Sequence, residues 1–343
     1  MNALDHKCPT CSAKLPFNPE SQKWDCEYCG NSYTLDQLNN YEEENNQHAD
    51  TELNVYKCPN CSANIISDTN TTATFCIYCG STSIIKERLV GEFKPSKIIP
   101  FKTTKEEAIK SFKNFIKGKI FAPDNFTDEK NIQKITGVYI PFWTYNCSAQ
   151  ADLDFNAQKI KTWRSGNYRY TKTDYYLLKR AGNMDFEKVP VDGSRKFDDN
   201  TMDSIEPFLY EDLKDFNISY LSGFLSEKYD VNSDEASIRA RERINNTIID
   251  KLKSTTKYYN MVNLINSKID IDTKKSEYVL LPVWMLNIEY NKIPYLFAMN
   301  GQTGKMIGNI PIDNKKFAIT WIKRFFVYFL LVSIIIFIFM LLS

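Results

Sequence analysis

The chain has 343 residues, enough for about two domains, with 43% hydrophobic residues, 25% charged residues and a formal net charge of +1. This balance excludes a strong overall attraction to nucleic acid or to anionic membranes. The first seven residues lack the apolar core of a secretory signal peptide, so we expect no export by that route.

Eight of the nine cysteines form four Cys-x-x-Cys pairs before residue 80. In each half of this set 14 residues separate the two pairs, and the whole set recurs 50 positions later. Repetition of the spacing and of its flanking residues indicates an internal duplication. The predicted metal ligands are Cys8, Cys11, Cys26 and Cys29 in the first half, and Cys58, Cys61, Cys76 and Cys79 in the second.

The spacing predicts two zinc ribbons that bind two Zn²⁺ ions. Two residues between cysteines allow a tight turn to aim both sulfurs at one ion, and two such turns supply the tetrahedral sulfur set that zinc prefers. Gly30 and Gly80 follow the second turns, where a positive φ is expected. Each half is too short for a core of its own, so the ions would supply folding free energy on the order of 10–16 kcal/mol.

Other interpretations of the cysteines remain. Disulfide bonds between the cysteines would need an oxidising compartment. A thioredoxin-like redox pair normally occurs in a βαβ unit. Iron is also bound by four cysteine sulfurs. His6 and His48 fall outside the spacing and are expected to be exposed non-ligands. Cys147 stands alone in an apolar stretch and is expected to be a buried small residue.

The predicted fold class is α+β, with tandem zinc ribbons, a central mixed domain containing antiparallel hairpins, and one C-terminal transmembrane helix. Between the ribbons lies a polar stretch rich in Asp and Glu, without Lys or Arg, which is typical of a mobile acidic linker. The predicted boundaries are zinc ribbon 1 at 1–40, acidic linker at 41–55, zinc ribbon 2 at 56–90, α+β domain at 91–315 and transmembrane anchor at 317–342.

Two helices are predicted in the α+β domain. Thr104 and Glu107 form a capping-box pattern, followed by an apolar stripe. A second helix is expected to begin near Asn232. The residues of the two stripes are Ala108, Ile109, Phe112, Phe115 and Ile116 in the first helix, and Ala236, Ala240, Ile244, Ile248 and Leu252 in the second.

Strand patterns dominate the rest of this domain. Alternation over 163–178 surrounds a hairpin turn at 165–167, and a second hairpin is expected over 295–310. The hydrophobic-Pro-aromatic segments 139–143 and 280–284 resemble each other and indicate two related β units. The acidic segment 198–215 is predicted to be a long surface loop or lid.

Residues 325–342 are 18 uncharged, almost wholly apolar residues and predict a single membrane span. A buried core helix is the alternative. Four cations precede the span and none follows it, which places the bulk of the chain in the cytoplasm as a single-pass cell-membrane protein, anchored by its tail. These cations are Lys315, Lys316, Lys323 and Arg324.

The sequence does not predict an enzyme. Both histidines precede the α+β domain, so that domain has no Ser-His-Asp or Cys-His set, and no phosphate-binding glycine motif occurs. Zinc sites with four cysteines leave no open position for a reactive water. The acidic residues in 198–212 leave an acid/base site as a further possibility. They are Asp198, Asp199, Asp203, Glu206, Glu211 and Asp212.

The first ribbon has fewer cations than anions, which favours protein partners over nucleic acid. The aromatic residues of the two ribbons suit either base stacking or a small core. These aromatic residues are Trp24, Tyr28, Tyr33 and Tyr78.

The cysteine units and the stretches 202–208, 220–230 and 297–308 resemble a bacterial family of TFIIB-type zinc-ribbon-containing membrane proteins, the YdjG-like group. The resemblance implies a cytosolic zinc module held at the lipid bilayer. It also implies docking of peripheral membrane or envelope-stress proteins of the PspA and flotillin kind. We therefore expect a membrane-anchored adaptor, with a membrane-tethered nucleic-acid-binding protein as the alternative.

Overall fold

The computed structural model describes residues 7–44, 54–67, 76–79, 81, 85–87, 95–196 and 199–342, which form an α+β architecture. Its helices are α1 (Leu35–Glu44), α2 (Lys105–Ile116), α3 (Glu129–Ile132), α4 (Asp199–Ile205), α5 (Ser233–Ser254) and α6 (Asn314–Leu342). Its strands are β1 (Phe17–Asn18), β2 (Lys23–Asp25), β3 (Ser32–Tyr33), β4 (Asn54–Lys57), β5 (Asn64–Ser67), β6 (Ile85–Glu87), β7 (Lys97–Ile98), β8 (Thr136–Ser165), β9 (Tyr168–Asp192), β10 (Lys214–Asp215), β11 (Leu225–Glu227), β12 (Met261–Tyr290), β13 (Ile293–Asn300) and β14 (Met306–Gly308).

A large sheet organises these elements. Its main path runs β10-β7-β12-β8-β11-β5-β4-β6, with β9 beside β8 and with β13 and β14 beside β12. The 30-residue strands β8 and β12 are antiparallel and pair from Thr136↔Met285 to Gln158↔Met261. A separate three-stranded sheet, β1-β2-β3, belongs to the first cysteine unit, defined here as residues 7–33.

The two hydrophobic-Pro-aromatic segments occupy equivalent places in this sheet. Pro141 in β8 lies where the neighbouring strand changes from parallel β11 to antiparallel β9. Pro282 in β12 lies where it changes from parallel β7 to antiparallel β13. A proline lacks an amide proton, so a change of neighbour is a place where a central strand tolerates it. Each proline carbonyl accepts a 2.8 Å bond from a glycine amide, that of Gly193 or of Gly301.

The α+β region therefore consists of two interlocked βαββ units. The first contains β7, α2, β8 and β9, and the second contains β11, α5, β12 and β13. Both helices begin at a cap residue followed three positions later by glutamate, Thr104 with Glu107 and Asn232 with Glu235. Because β7 pairs with β12 and β11 with β8, each unit completes the sheet of the other.

Both predicted helices are confirmed. Thr104 and Glu107 form both capping-box bonds of α2, and Asn232 caps α5. All five residues of the α5 stripe are buried, and they pack against the part of β8 that includes the buried Cys147. In the α2 stripe, Ala108, Phe112 and Ile116 are buried. Ile109 and Phe115 are partly buried and pack against the same core cluster as those three residues.

The acidic segment 198–215 is not a surface loop or lid, so that prediction is wrong. It contains α4, a 3₁₀ turn at Tyr210–Asp212 and β10, and its apolar residues Met202, Ile205 and Phe208 are buried in the core. Helix α1 occupies the first part of the acidic stretch between the cysteine units, with Leu38 buried. Residues 45–53 of the predicted linker lie outside the described residues.

Helix α6 is the one helix, within the part of the chain that the structure describes, that is long and apolar enough to cross a membrane. None of its apolar window is buried against the protein. Its start is fixed, because the Asp313 carboxylate accepts the amides of Lys315 and Lys316, and Lys316 pairs with Asp124 at 2.6 Å. The helix therefore leaves the protein at a defined place beside the Asp124–Phe126 turn.

Candidate metal centres

The structure brings the eight cysteines together as two groups of four. Within each group the ligand sulfurs all lie within 4.8 Å of one another. The closest pairs are 3.4 and 3.6 Å apart in the first unit and both 3.6 Å apart in the second. Four sulfurs about 2.3 Å from one zinc ion would stand about 3.8 Å apart. A disulfide needs about 2.05 Å, so the arrangement fits a metal ion, and all nine cysteines are unpaired thiols.

The same backbone turn builds three of the four Cys-x-x-Cys pairs, those that the structure describes through the residue after the second cysteine. The amide of the residue after the second cysteine donates to the carbonyl of the first, at 2.8 Å for Ser12, Gly30 and Ser62. These residues have φ values of 59°, 74° and 58°. The positive φ predicted for Gly30 is confirmed, whereas Gly80 lies outside the described residues. Sequence reasoning missed Ser12 and Ser62, although their position after a cysteine pair matches that of the glycines.

Two thiols of the first group have pKa values shifted in opposite directions. Burial raises the pKa of Cys8, but hydrogen bonds from the Tyr33 hydroxyl and the Cys11 and Thr10 amides lower it to about 6. The Ala13 amide lowers the pKa of Cys11, but burial and hydrogen bonds shared with the other three sulfurs raise it to about 12. A divalent cation stabilises all four thiolates and displaces their remaining protons.

The second group is more deeply embedded than the first. Cys58 and Cys76 are fully buried, with Cys61 and Cys79 partly buried, whereas Cys29 of the first group is exposed. Strand β5 pairs with β11, which continues the second cysteine unit (the described residues of 54–87) into the large sheet. The second cysteine unit and the α+β region therefore share one sheet.

One segment, residues 218–230, holds both cysteine units. On the first unit, the Trp24 indole donates to the Ser219 carbonyl at 3.0 Å, and Phe17, Trp24 and Tyr220 pack edge to face or tilted. Further along, β11 pairs with the second unit. Much of this segment belongs to the stretches that carry the family resemblance, so those residues have a structural role between the two centres.

Glu227 of β11 is a buried carboxyl beside the second centre. It accepts the hydroxyl of Tyr78 at 2.6 Å, and Tyr78 lies between Cys76 and Cys79. Burial raises the pKa of Glu227 to about 8, although hydrogen bonds from Tyr78 and Ser194 oppose the shift. The carboxyl is therefore largely protonated at neutral pH.

We expect Glu227→Gln to stabilise the protein increasingly as pH rises. The folded state keeps a proton that the unfolded state loses above its ordinary pKa of 4.5, so wild-type stability falls as pH rises from about 4.5 to about 8. At about 1.4 kcal/mol per pKa unit, the advantage of the variant should grow by roughly 2–3 kcal/mol between pH 6 and pH 9. Denaturant unfolding with zinc present measures this difference.

Glu242→Gln, which removes an exposed carboxylate from α5, is the control, with an expected effect below about 0.5 kcal/mol at either pH. An advantage of Glu227→Gln that stays constant from pH 6 to pH 9 would contradict the burial argument.

Three of the six acidic residues considered for catalysis, Asp203, Glu206 and Asp212, are engaged in ion pairs. Arg239 bridges Asp192 and Asp203, and Arg243 binds Glu206 through two bonds of 3.0 and 2.8 Å. Asp212 pairs with Lys102 at 2.6 Å. The side chains of Asp198 and Asp199, like His6 and His48, lie outside the described residues. Arg239 and Arg243 belong to α5, which is distant in sequence from the acidic segment. The spacing of residues in the sequence therefore did not predict these ion pairs.

The four aromatic residues of the cysteine units have different environments. Trp24 and Tyr78 are buried, which leaves no face for base stacking, and Tyr33 lies 3.6 Å from the Cys8 sulfur. Tyr28 is 83% exposed, although it is the repeat counterpart of the buried Tyr78. The duplicated positions have therefore diverged, one facing solvent and the other the core.

Comparison with known proteins shows which family the chain belongs to. No protein-family model matches it, and no solved structure matches it. The uncharacterized protein YdjG of Bacillus subtilis (strain 168) is 41% identical over 317 residues, which cover 92% of this chain and 92% of that protein. At that identity over almost the whole length, the chain belongs to the same family as YdjG.

Proposed function

We propose that the protein is a membrane-anchored adaptor whose two cysteine units are structural zinc ribbons of the TFIIB type and whose cytoplasmic surface docks partner proteins at the membrane. The observation that carries the proposal is α6. An apolar helix with none of its span buried has an unfavourable exposure to water that a bilayer removes. The cations before the span favour a cytoplasmic location for the rest of the chain.

Zinc is the ion that best suits the two centres. Closed sets of four thiolates with tetrahedral spacing are typical of structural zinc sites, and such sites supply folding free energy. A reducing cytoplasm keeps the thiols available. The ion pairs of Asp203, Glu206 and Asp212 support a non-enzymatic role.

The exposed turn of the first unit is the surface we assign to protein docking. Tyr28 lies exposed between two of the candidate ligand cysteines, on a backbone that a bound metal would hold rigid. Rigid exposed tyrosines contribute strongly to protein interfaces because they bury a large area at little entropic cost. The counterpart Tyr78 is unavailable, since it packs inside the protein.

We expect a photo-crosslinking amino acid placed at Tyr28 in living cells to capture a protein in the membrane fraction. The control is the same amino acid at Tyr258, which is 84% exposed outside the cysteine units. A distinct adduct at position 28 supports docking through the first unit. Identical adducts at both positions, or none at position 28, would contradict it.

A further inference from the structure

The hairpin tip, residues 159–176, is a strongly charged projection of the described part of the chain. Strand β12 ends at Met261, opposite Gln158, and the Asn260 side chain accepts the Ile160 amide at 2.7 Å. Beyond this point β8 and β9 continue as a two-stranded ribbon to the turn at Gly166, where φ is 58°. The hairpin extends past its supporting strand by seven residues per strand, 159–165 and 168–174, or roughly 23 Å.

The tip concentrates positive charge that the rest of the chain offsets. It carries five cations and one carboxylate, although the whole chain has a net charge of +1. Its carboxylate, Asp174, pairs with Lys172 at 3.1 Å. No carboxylate of the described residues pairs with the other cations, which are Lys159, Lys161, Arg164 and Arg169.

Cations are placed directly opposite one another on both faces of the ribbon. In the register of the two strands, Lys161 lies opposite Lys172 and Arg164 lies opposite Arg169. Positions 161 and 164 point to opposite faces, because side chains alternate along a strand. Like charges in register destabilise a hairpin, and two strands alone are at best marginally stable. A polyanionic ligand would relieve this repulsion.

Exposed aromatic rings accompany the cations. Trp163 and Tyr170 stack at 5.6 Å with an interplanar angle of 14°, on the face that carries Lys161 and Lys172. Both rings are nearly half exposed, and Tyr168 and Tyr175 are 72% and 75% exposed. Such rings can pack against the sugars beside the phosphates, since the base faces of a duplex are already stacked on one another.

We propose that the hairpin tip is a binding arm for double-stranded DNA. A two-stranded ribbon fits the B-DNA major groove, about 12 Å wide, whose two walls are both lined by phosphates. Cations on both faces match two such walls. A membrane-surface element instead has one apolar face, and this turn is polar Ser-Gly-Asn. The major groove of A-form RNA is too narrow for side chains to read. The arm is a site separate from the protein-docking surface proposed above.

The test uses the full chain in nanodiscs of neutral phosphatidylcholine and a fluorescent 20-base-pair DNA duplex, with binding followed by anisotropy. We expect log K to fall with log salt at a slope of about −4, since each phosphate contact contributes about −0.9. The variant K161Q/R164Q/R169Q/K172Q should bind at least about tenfold more weakly at 50 mM salt, with a flatter slope.

The matched control K110Q/K117Q/K130Q/K134Q removes the same charge from exposed lysines around α2 and α3 and should bind like wild type. Amine-reactive footprinting of the unmodified chain, which needs no variant, should show DNA protecting Lys161 and Lys172 but not Lys110. A salt slope near zero, unprotected tip lysines, or capture of phosphatidylserine vesicles without DNA would overturn the proposal. None of these results would affect membrane attachment or the adducts at Tyr28.

Discussion

Loss of the second metal centre should unfold the large sheet, whereas loss of the first should leave that sheet folded. Structural zinc contributes on the order of 10–16 kcal/mol in comparable units, as much as the whole stability of a typical domain. A metal in the second centre would order β4 and β5, and β5 pairs with β11 inside the large sheet. A metal in the first centre would order a separate three-stranded sheet that contacts the rest through packing and a few hydrogen bonds.

The variants Cys8→Ser/Cys11→Ser and Cys58→Ser/Cys61→Ser compare the two centres. Wild type should contain two zinc ions per chain and each variant one, as measured by elemental analysis. Hydrogen exchange should show the β8 and β12 amides protected in the first variant and unprotected in the second. Fewer than two ions in fresh wild-type protein would refute the two-site prediction. Equal protection in both variants would refute the different roles of the centres.

Two arginines in the middle of α6 should abolish stable membrane attachment. Leu331 and Ile335 lie one turn apart near the centre of the apolar stretch, and each arginine there costs about 2.5–3.5 kcal/mol on insertion. Together they would shift the insertion equilibrium by roughly 10⁴-fold or more. In the wild type the protein should resist carbonate extraction, and Leu331→Arg/Ile335→Arg should move it to the soluble or degraded fraction.

Leu331→Ala/Ile335→Ala is the matched control, because it truncates the same side chains without adding charge, and it should remain in the membrane. Carbonate extraction of the wild-type chain would show that α6 is no membrane span. Retention of the double-arginine variant at wild-type levels would show that other surfaces hold the protein at the membrane.

Local patterns were sufficient to predict the helices, the cysteine sets and the turns. The capping box at Thr104, the buried stripe of α5 and the hairpin turn at Gly166 depend on residues within a few positions of one another. The Cys-x-x-Cys turns are equally local, and their repetition allowed each set of four to be assigned without knowledge of the fold.

Contacts between distant parts of the chain were not predictable. The parallel pairing of β7 with β12 joins residues about 180 positions apart, and β11 meets β5 from a similar distance. The charges of the acidic segment favoured an exposed loop in the sequence. In the structure, Asp203 and Glu206 pair with Arg239 and Arg243 of another helix. Such pairings follow from tertiary topology, for which a single sequence has no local signal.

The length of β12 sets a fixed spacing within the molecule. Its first residue, Met261, lies at the base of the hairpin tip, and its last, Tyr290, contacts Phe126 in the turn that receives the start of α6. Thirty residues at about 3.3 Å each give a strand approaching 100 Å when straight. A disordered tether has a fluctuating end-to-end distance. The hydrogen-bonded strands instead keep the hairpin tip at a set displacement from the start of α6.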